Sequence, residues 1–210
     1  AGNEGPGFGS ASQLPGSIER VITVGAVSKE QVIASDLLDV TGPQPVPAYL
    51  QSVPFAHALF GPAINAAIGP YPYVDVRDVS TNRSSLACEP LPVGSLAGKI
   101  ALIGRGECDF AAKVYHAQQA GAVMALIYNT EDELVEIACG GEYCDPGDIT
   151  IPVAVITRTA GERLSAWAKL YPNATLKIDP NPRIVNVPER VIQSYSGRGP
   201  AYMRSLKPDV

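Results

Sequence analysis

Residues 96–129 read LAGKIALIGRGECDFAAKVYHAQQAGAVMALIYN. Within this stretch, Lys99-Ile100-Ala101-Leu102-Ile103-Gly104 is a short, almost wholly apolar run, as a strand covered on both faces requires. Phe110, Val114, Ala117 and Gly121 follow at spacings of four, three and four, which lines one stripe of a helix. Asp109 stands where its carboxylate would accept from the free N–H groups of the first turn. Val123 to Tyr128 is a second apolar run. Strand, helix and strand within about 30 residues is the pattern of a right-handed βαβ crossover.

Working outward, Pro152 to Ile156 reads as a third strand. Thr159-Ala160-Gly161-Glu162 matches a capping box, and Leu164, Trp167, Ala168 and Tyr171 form the buried stripe of the helix it would open. Ala174 to Ile178 is a last strand, and the proline-rich run from Asp179 to Pro188 reads as a linker. On the other side, prolines between Thr41 and Pro72 exclude a long helix and leave short edge strands broken by turns, with Val46, Tyr49, Val53, Phe55, Ala58 and Phe60 as their apolar residues. Tyr73 to Val79 alternates as a strand does. The first piece, residues 1–35, has a glycine-rich loop and then an alternating strand from Val21 to Val27.

The chain has 210 residues, enough to bury a core, with 46% hydrophobic and 18% charged residues, which describes a weakly charged globular protein. Sixteen basic and twenty-one acidic residues give a net charge of −5, which argues against nucleic acid as a partner. The acidity is local: residues 131–148 hold seven carboxylates and no Lys or Arg. No apolar run approaches the roughly 18 residues of a membrane span, and no targeting leader is legible. Four cysteines, Cys88, Cys108, Cys139 and Cys144, allow three pairings. The pairs Cys88–Cys108 and Cys139–Cys144 are the expected ones, and they imply an oxidising, extracellular setting. The competing reading is four buried thiols in a reducing compartment. With no C-x-x-C and two histidines, a structural zinc site is not expected.

The central stretch resembles the core of a protease-associated (PA) domain. The matching positions are Gly98-Lys99-Ile100, Arg105-Gly106, Cys108, Phe110, Lys113, Ala117, Gly121-Ala122 and Asn129, continued by Ile151-Pro152-Val153-Ala154-Val155-Ile156 and, upstream, by Phe60-Gly61-Pro62-Ala63. The resemblance implies a module at residues 40–182 without catalytic residues, one that shapes substrate access or mediates protein contacts. Phe110 and Ala117 read as core-facing, and Lys113 between them as a solvated stem along the helix surface.

The ends carry different motifs. Ala1-Gly2-Asn3-Glu4-Gly5 and Val21-Ile22-Thr23-Val24-Gly25-Ala26 at the start, with Tyr195-Ser196-Gly197-Arg198-Gly199-Pro200 and Leu206-Lys207-Pro208-Asp209-Val210 at the end, resemble the part of subtilisin-like serine proteases (subtilases, peptidase family S8) that follows the oxyanion-hole asparagine. Where the family pattern reads Phe-Ser-Ser-Arg-Gly-Pro, this chain has Tyr195 and Gly197. The resemblance implies that Asn3 donates to the oxyanion, that 1–39 and 183–210 are pieces of a catalytic core, and that the parent hydrolyses peptide bonds of protein or peptide substrates outside the cell. The fold class it implies is α/β with an α+β insert: a PA-type sheet-plus-helices domain flanked by pieces of the subtilisin α/β core. The family's aspartate, His-Gly-Thr-His and Gly-Thr-Ser-Met-Ala motifs do not occur here, so the chain alone is expected to be inactive. The alternative is a free-standing PA-type binding module. The metal ligands of a zinc aminopeptidase, a third host of such modules, are missing.

The remaining candidates are minor. His57 and His116 read as surface or packing residues. The run 131–148 offers oxygen ligands for calcium but matches no EF-hand spacing, and reads as a solvated, disulfide-tied loop. No other cofactor is expected. Asn82-Arg83-Ser84 and Asn173-Ala174-Thr175 are glycosylation sequons that matter only in a eukaryotic secretory route.

Overall fold

The computed structural model describes residues 31–186. Asn3, the strand expected at Val21–Val27 and the motifs at 195–210 lie outside the described residues. Ten strands are described: β1 (Gln31–Ala34), β2 (Leu37–Gly42), β3 (Val53–Pro54), β4 (Ala56–His57), β5 (Ile68–Asp75), β6 (Ile100–Gly104), β7 (Met124–Tyr128), β8 (Val153–Ile156), β9 (Thr175–Asp179) and β10 (Arg183–Asn186). Two α-helices accompany them, α1 (Phe110–Gln119) and α2 (Arg158–Leu170).

Residues Ser35–Pro182 form one compact unit, and β1 with β10 belongs to a second. In the second, β1 and β10 pair antiparallel from Gln31 opposite Asn186 to Ala34 opposite Arg183. The strand leading out to Ser35 and the strand returning from Pro182 therefore stand side by side.

The first unit is a mixed α/β layer structure on an eight-stranded sheet of order β3-β2-β9-β5-β6-β7-β8-β4. β5, β6, β7 and β8 run parallel, while β9 and β2 on one side and β4 on the other are antiparallel to their neighbours. Alternation sorts the central residues into two cores. Ile100, Leu102, Met124, Leu126, Ala154 and Ile156 join Leu164 and Trp167 of α2 on one face. Ala101, Ile103, Ala125, Ile127, Val153 and Val155 join Val114 and Ala117 of α1 on the other. The apolar run at 99–104 is thus a strand buried on both faces, and β6-α1-β7 is the expected crossover.

Several local expectations need correction, first the linker read from Asp179 to Pro188, which contains the strand β10. The strand expected at Tyr73–Val79 is Ile68–Asp75, and the chain then turns through a short 3-10 helix, Val76–Asp78, whose start Asp75 caps by accepting from Arg77 N. Its first half was hidden because Pro70 and Pro72 discourage a strand; the register against β9 shifts between Ile68 and Tyr71, the kind of irregularity that admits proline. The cap of α2 is Thr157, whose Oγ1 accepts from Ala160 N at 3.3 Å. Thr159 instead donates its hydroxyl to Asp132, and Glu162 lies 3.8 Å from Arg158. Asp109 occupies the N-cap position of α1 but makes no side-chain cap bond.

The face bearing α1 is completed by two irregular segments. Residues 76–99 bring Val76, Ala87, Leu91 and Leu96 to that core, and residues 129–152 bring Ile137, Ile149 and Ile151. Disulfides Cys88–Cys108 and Cys139–Cys144 tie them down. With sequence separations of 20 and 5, the chain-entropy model assigns them about 3 and about 2 kcal/mol. Gly121, at φ +94°, ends α1 where any Cβ would press on the Ala97 backbone.

Gly161 lies in α2 with Tyr128 directly over it, so an added Cβ would overlap the Tyr128 Cβ and ring. Helix propensity favours Ala over Gly by about 1 kcal/mol, but overpacking of a close helix–strand contact costs about 1–3 kcal/mol. Gly161→Ala is expected to lower the unfolding free energy in urea titration; a more stable variant would show that this contact is loose.

Candidate functional site

The residues of the central motif converge on two polar staples. Arg105, just past β6, donates from Nη1 to Asn129 Oδ1 at 2.8 Å, and its guanidinium lies 5.7 Å from the centre of the Phe110 ring. Asn129, 2% exposed, also donates from Nδ2 to the Glu133 carbonyl and accepts from Thr130 N. One buried amide thereby fixes the path leaving β7.

Lys113 is the second staple, and here the expectation fails. It is fully buried in α1, with Nζ donating to the Leu86 carbonyl at 2.8 Å and lying 3.7 Å from Cys88 Sγ. Burial lowers its pKa from 10.5 to about 8, against the opposing charge of Glu107. Lys113 stands three residues after Phe110 and four before Ala117, which is the buried stripe itself; that spacing was the signal. The amine pins segment 76–99 to α1 beside the Cys88–Cys108 bond.

The histidines are held too. His57 Nε2 lies 2.8 Å from Asp36 Oδ1, and its ring meets Phe55 at 5.3 Å. Burial works against the Asp36 carboxylate, but hydrogen bonds from His57 and from Ser35 outweigh it and lower its pKa. The Ser35 hydroxyl binds this carboxylate rather than the imidazole, so the pair has no nucleophile in the triad position. His116 Nδ1 lies 2.9 Å from the Ala87 carbonyl, another contact to segment 76–99. Asp132 accepts from Thr159 Oγ1 and Thr159 N, both at 2.7 Å, and these hydrogen bonds hold its pKa low. Asn82 and Asn173 of the two sequons are exposed. Among the described residues no group of three or more His, Cys, Asp or Glu side chains could hold a metal ion, and no helix is long and apolar enough to cross a membrane.

Among the described residues, one groove of about 350 Å³ lies by Pro43, Leu170 and Tyr171. Another of about 300 Å³ lies beside the Cys139–Cys144 loop, lined by Phe60, Tyr143, Cys144, Asp145, Pro146 and Ile149 among others. Tyr143 has φ +65° and stacks on Tyr115 of α1 at 4.0 Å, with His116 edge-on to it. Sequence reading missed this cluster, because Tyr115 and Tyr143 meet only through the fold.

Residues 63–164 match the family model described as the PA domain. The chain carries a PA domain. The matched span holds β5 to β8, α1, both disulfides and both staples. Over the whole chain there is 30% identity to Subtilisin-like protease SBT1.6 of Arabidopsis thaliana, of which this chain spans 25%. Signal peptide peptidase-like 2 of the same plant is 37% identical over 37% of this chain and 14% of its own length. Among solved structures, an aminopeptidase from Aneurinibacillus sp. strain AM-1 superposes with a TM-score of 0.48 at 21% identity, covering 74% of this chain and 34% of that one. By sequence, the chain is thus similar to parts of several peptidase-related proteins.

Lys113 gives a pH test. Its folded pKa of about 8 lies below the unfolded value of 10.5, so between these pH values the unfolded chain binds more protons. Stability should therefore rise from pH 8 to 10.5 relative to Lys113→Met, by up to about 3 kcal/mol at 1.36 kcal/mol per unit. Denaturant titrations of both proteins across that range measure it; a pH-independent difference would mean that the amine is hydrated.

Proposed function

We propose that this chain is a portion of a secreted subtilisin-like serine endopeptidase, in which the PA domain is inserted into the catalytic core and shapes substrate access or protein contacts. The observation that carries the reading is the extent of similarity. The subtilisin-like relative matches over 100% of the chain, including the segments on both sides of the PA domain, whereas the signal peptide peptidase-like relative matches over 37%. Adjacent departure and return of the chain at Ala34 and Arg183 supports an insertion, since a host fold tolerates an insert whose ends lie together. Two disulfides support assembly in an oxidising compartment.

In the parent, a serine attacks the scissile carbonyl, and the acyl-enzyme formed is then hydrolysed. Asn3 would direct its amide at the developing oxyanion, stabilising the transition state more than the bound substrate. The second reading, a PA-type binding module without a peptidase, draws support from a relative similar over only 37% of the chain.

In the complete protein, Asn3→Ala should lower kcat by about 10²–10³ with KM little changed, the size of effect known for the corresponding subtilisin asparagine. The 210-residue chain alone should turn over no chromogenic peptide. A complete protein that is inactive, or insensitive to serine-directed inhibitors, would favour the binding module.

A further inference from the structure

The groove beside the Cys139–Cys144 loop has the features of a preformed recognition site. Its apolar floor is Phe60 and Ile149, and Leu59 next to Phe60 is 65% exposed. Tyr143 also lines it, in a left-handed conformation next to the Cys139–Cys144 bond and stacked on the Tyr115 ring. A non-glycine residue kept in that region is strained, and such residues cluster where a side chain must be aimed.

The loop is also braced from behind. Gln118 of α1 donates to the Asp148 carbonyl at 2.8 Å and accepts from Thr150 N at 2.7 Å, and Asp145 N donates to Asp148 Oδ2 at 3.0 Å. The site is shaped before any ligand arrives, so binding there loses little conformational entropy.

Charge selects the occupant. The groove is lined by Asp145 and by no Lys or Arg, and the whole run from 131 to 148 carries seven carboxylates without a basic residue. We infer that this groove takes an extended peptide segment bearing a Lys or Arg next to an apolar residue. The cation faces Asp145, and the apolar side chain lies on Phe60 and Ile149 against Tyr143. This rests on reading the PA domain as a module that contacts protein, and it names the chemistry of what is contacted.

The test uses the 210-residue chain and a fluorescein-labelled peptide, Ala-Leu-Lys-Leu-Ala, with partners in which Lys is replaced by Glu or norleucine. Anisotropy should show the Lys peptide binding most tightly, with an affinity that falls between 50 and 500 mM salt, in concentrations set by screening on the order of a Debye length of 10 Å. The Asp145 turn is built by its backbone and by Asp148, so Asp145 substitutions should leave the fold intact, checked by circular dichroism. Asp145→Asn should weaken Lys-peptide binding about two- to fivefold and Asp145→Lys about tenfold or more. Equal binding of the Lys and Glu peptides, or an Asp145→Lys chain that binds as the parent does, would overturn the proposal. In the complete protein, deleting residues 35–182, the whole compact unit, separates the two readings. If deletion alters turnover of protein substrates and Asp145→Lys does not, the groove assignment fails alone. If deletion changes nothing while the groove still selects the Lys peptide, the substrate-access reading fails and the groove stands.

Discussion

The three parallel strands β6, β7 and β8 are apolar on both faces, and everything else in the compact unit answers that constraint. Leu102 and Ile103 are neighbours in sequence, lie on opposite sides of the sheet and are both fully buried. A sheet of this kind exists only if each face is covered along its length. One face is covered by a regular element, α2, together with the antiparallel strands at its side. The other has a single helix of ten residues, too short to cover three strands.

The remainder of that second face is covered by chain without regular structure, and this explains where the polar chemistry sits. Irregular segments satisfy part of their own backbone groups through turns, such as Val79 N to Val76 O and Ala97 N to Gly94 O, and other groups must do the rest. Lys113 and His116 reach out of α1 to the carbonyls of Leu86 and Ala87, while Gln118 reaches to the other segment at Asp148 and Thr150. One helix thus buries Lys113 among its apolar side chains and, with His116 and Gln118, offers polar groups to the two segments that flank it. The disulfides add covalent closure to both segments. An ammonium buried for this purpose is costly, and its lowered pKa records that cost.

Legibility followed sequence distance. The βαβ crossover could be read from 96–129 because its period is local, and most of each helix stripe was visible for the same reason. Tyr171 and Gly121, placed at the stripe ends, lie past the helices and are exposed. The cap of α2 was read two residues late because Thr159 and Glu162 satisfy the box pattern, while Asp132, which takes Thr159, is 27 residues away and invisible to any local rule. Lys113 was misread from its chemistry although its spacing placed it inward; the carbonyls awaiting it belong to a segment whose path no periodicity describes. The stack of Tyr143 on Tyr115 likewise depends on two segments meeting across the crossover. The groove was therefore illegible, while the framework that positions it was not.

The pairing of β1 with β10 has a thermodynamic consequence. Folded, the intervening unit behaves toward the strands that bracket it as a very short loop, because Ala34 and Arg183 are already partners. Unfolded, the same stretch becomes a flexible loop of roughly 150 residues, and closing it costs about 3 kcal/mol more in chain entropy. The bracket is therefore firm only while the unit it encloses is folded. Order in the middle of the chain is thus felt by β1 and β10 through the length of free chain that separates them.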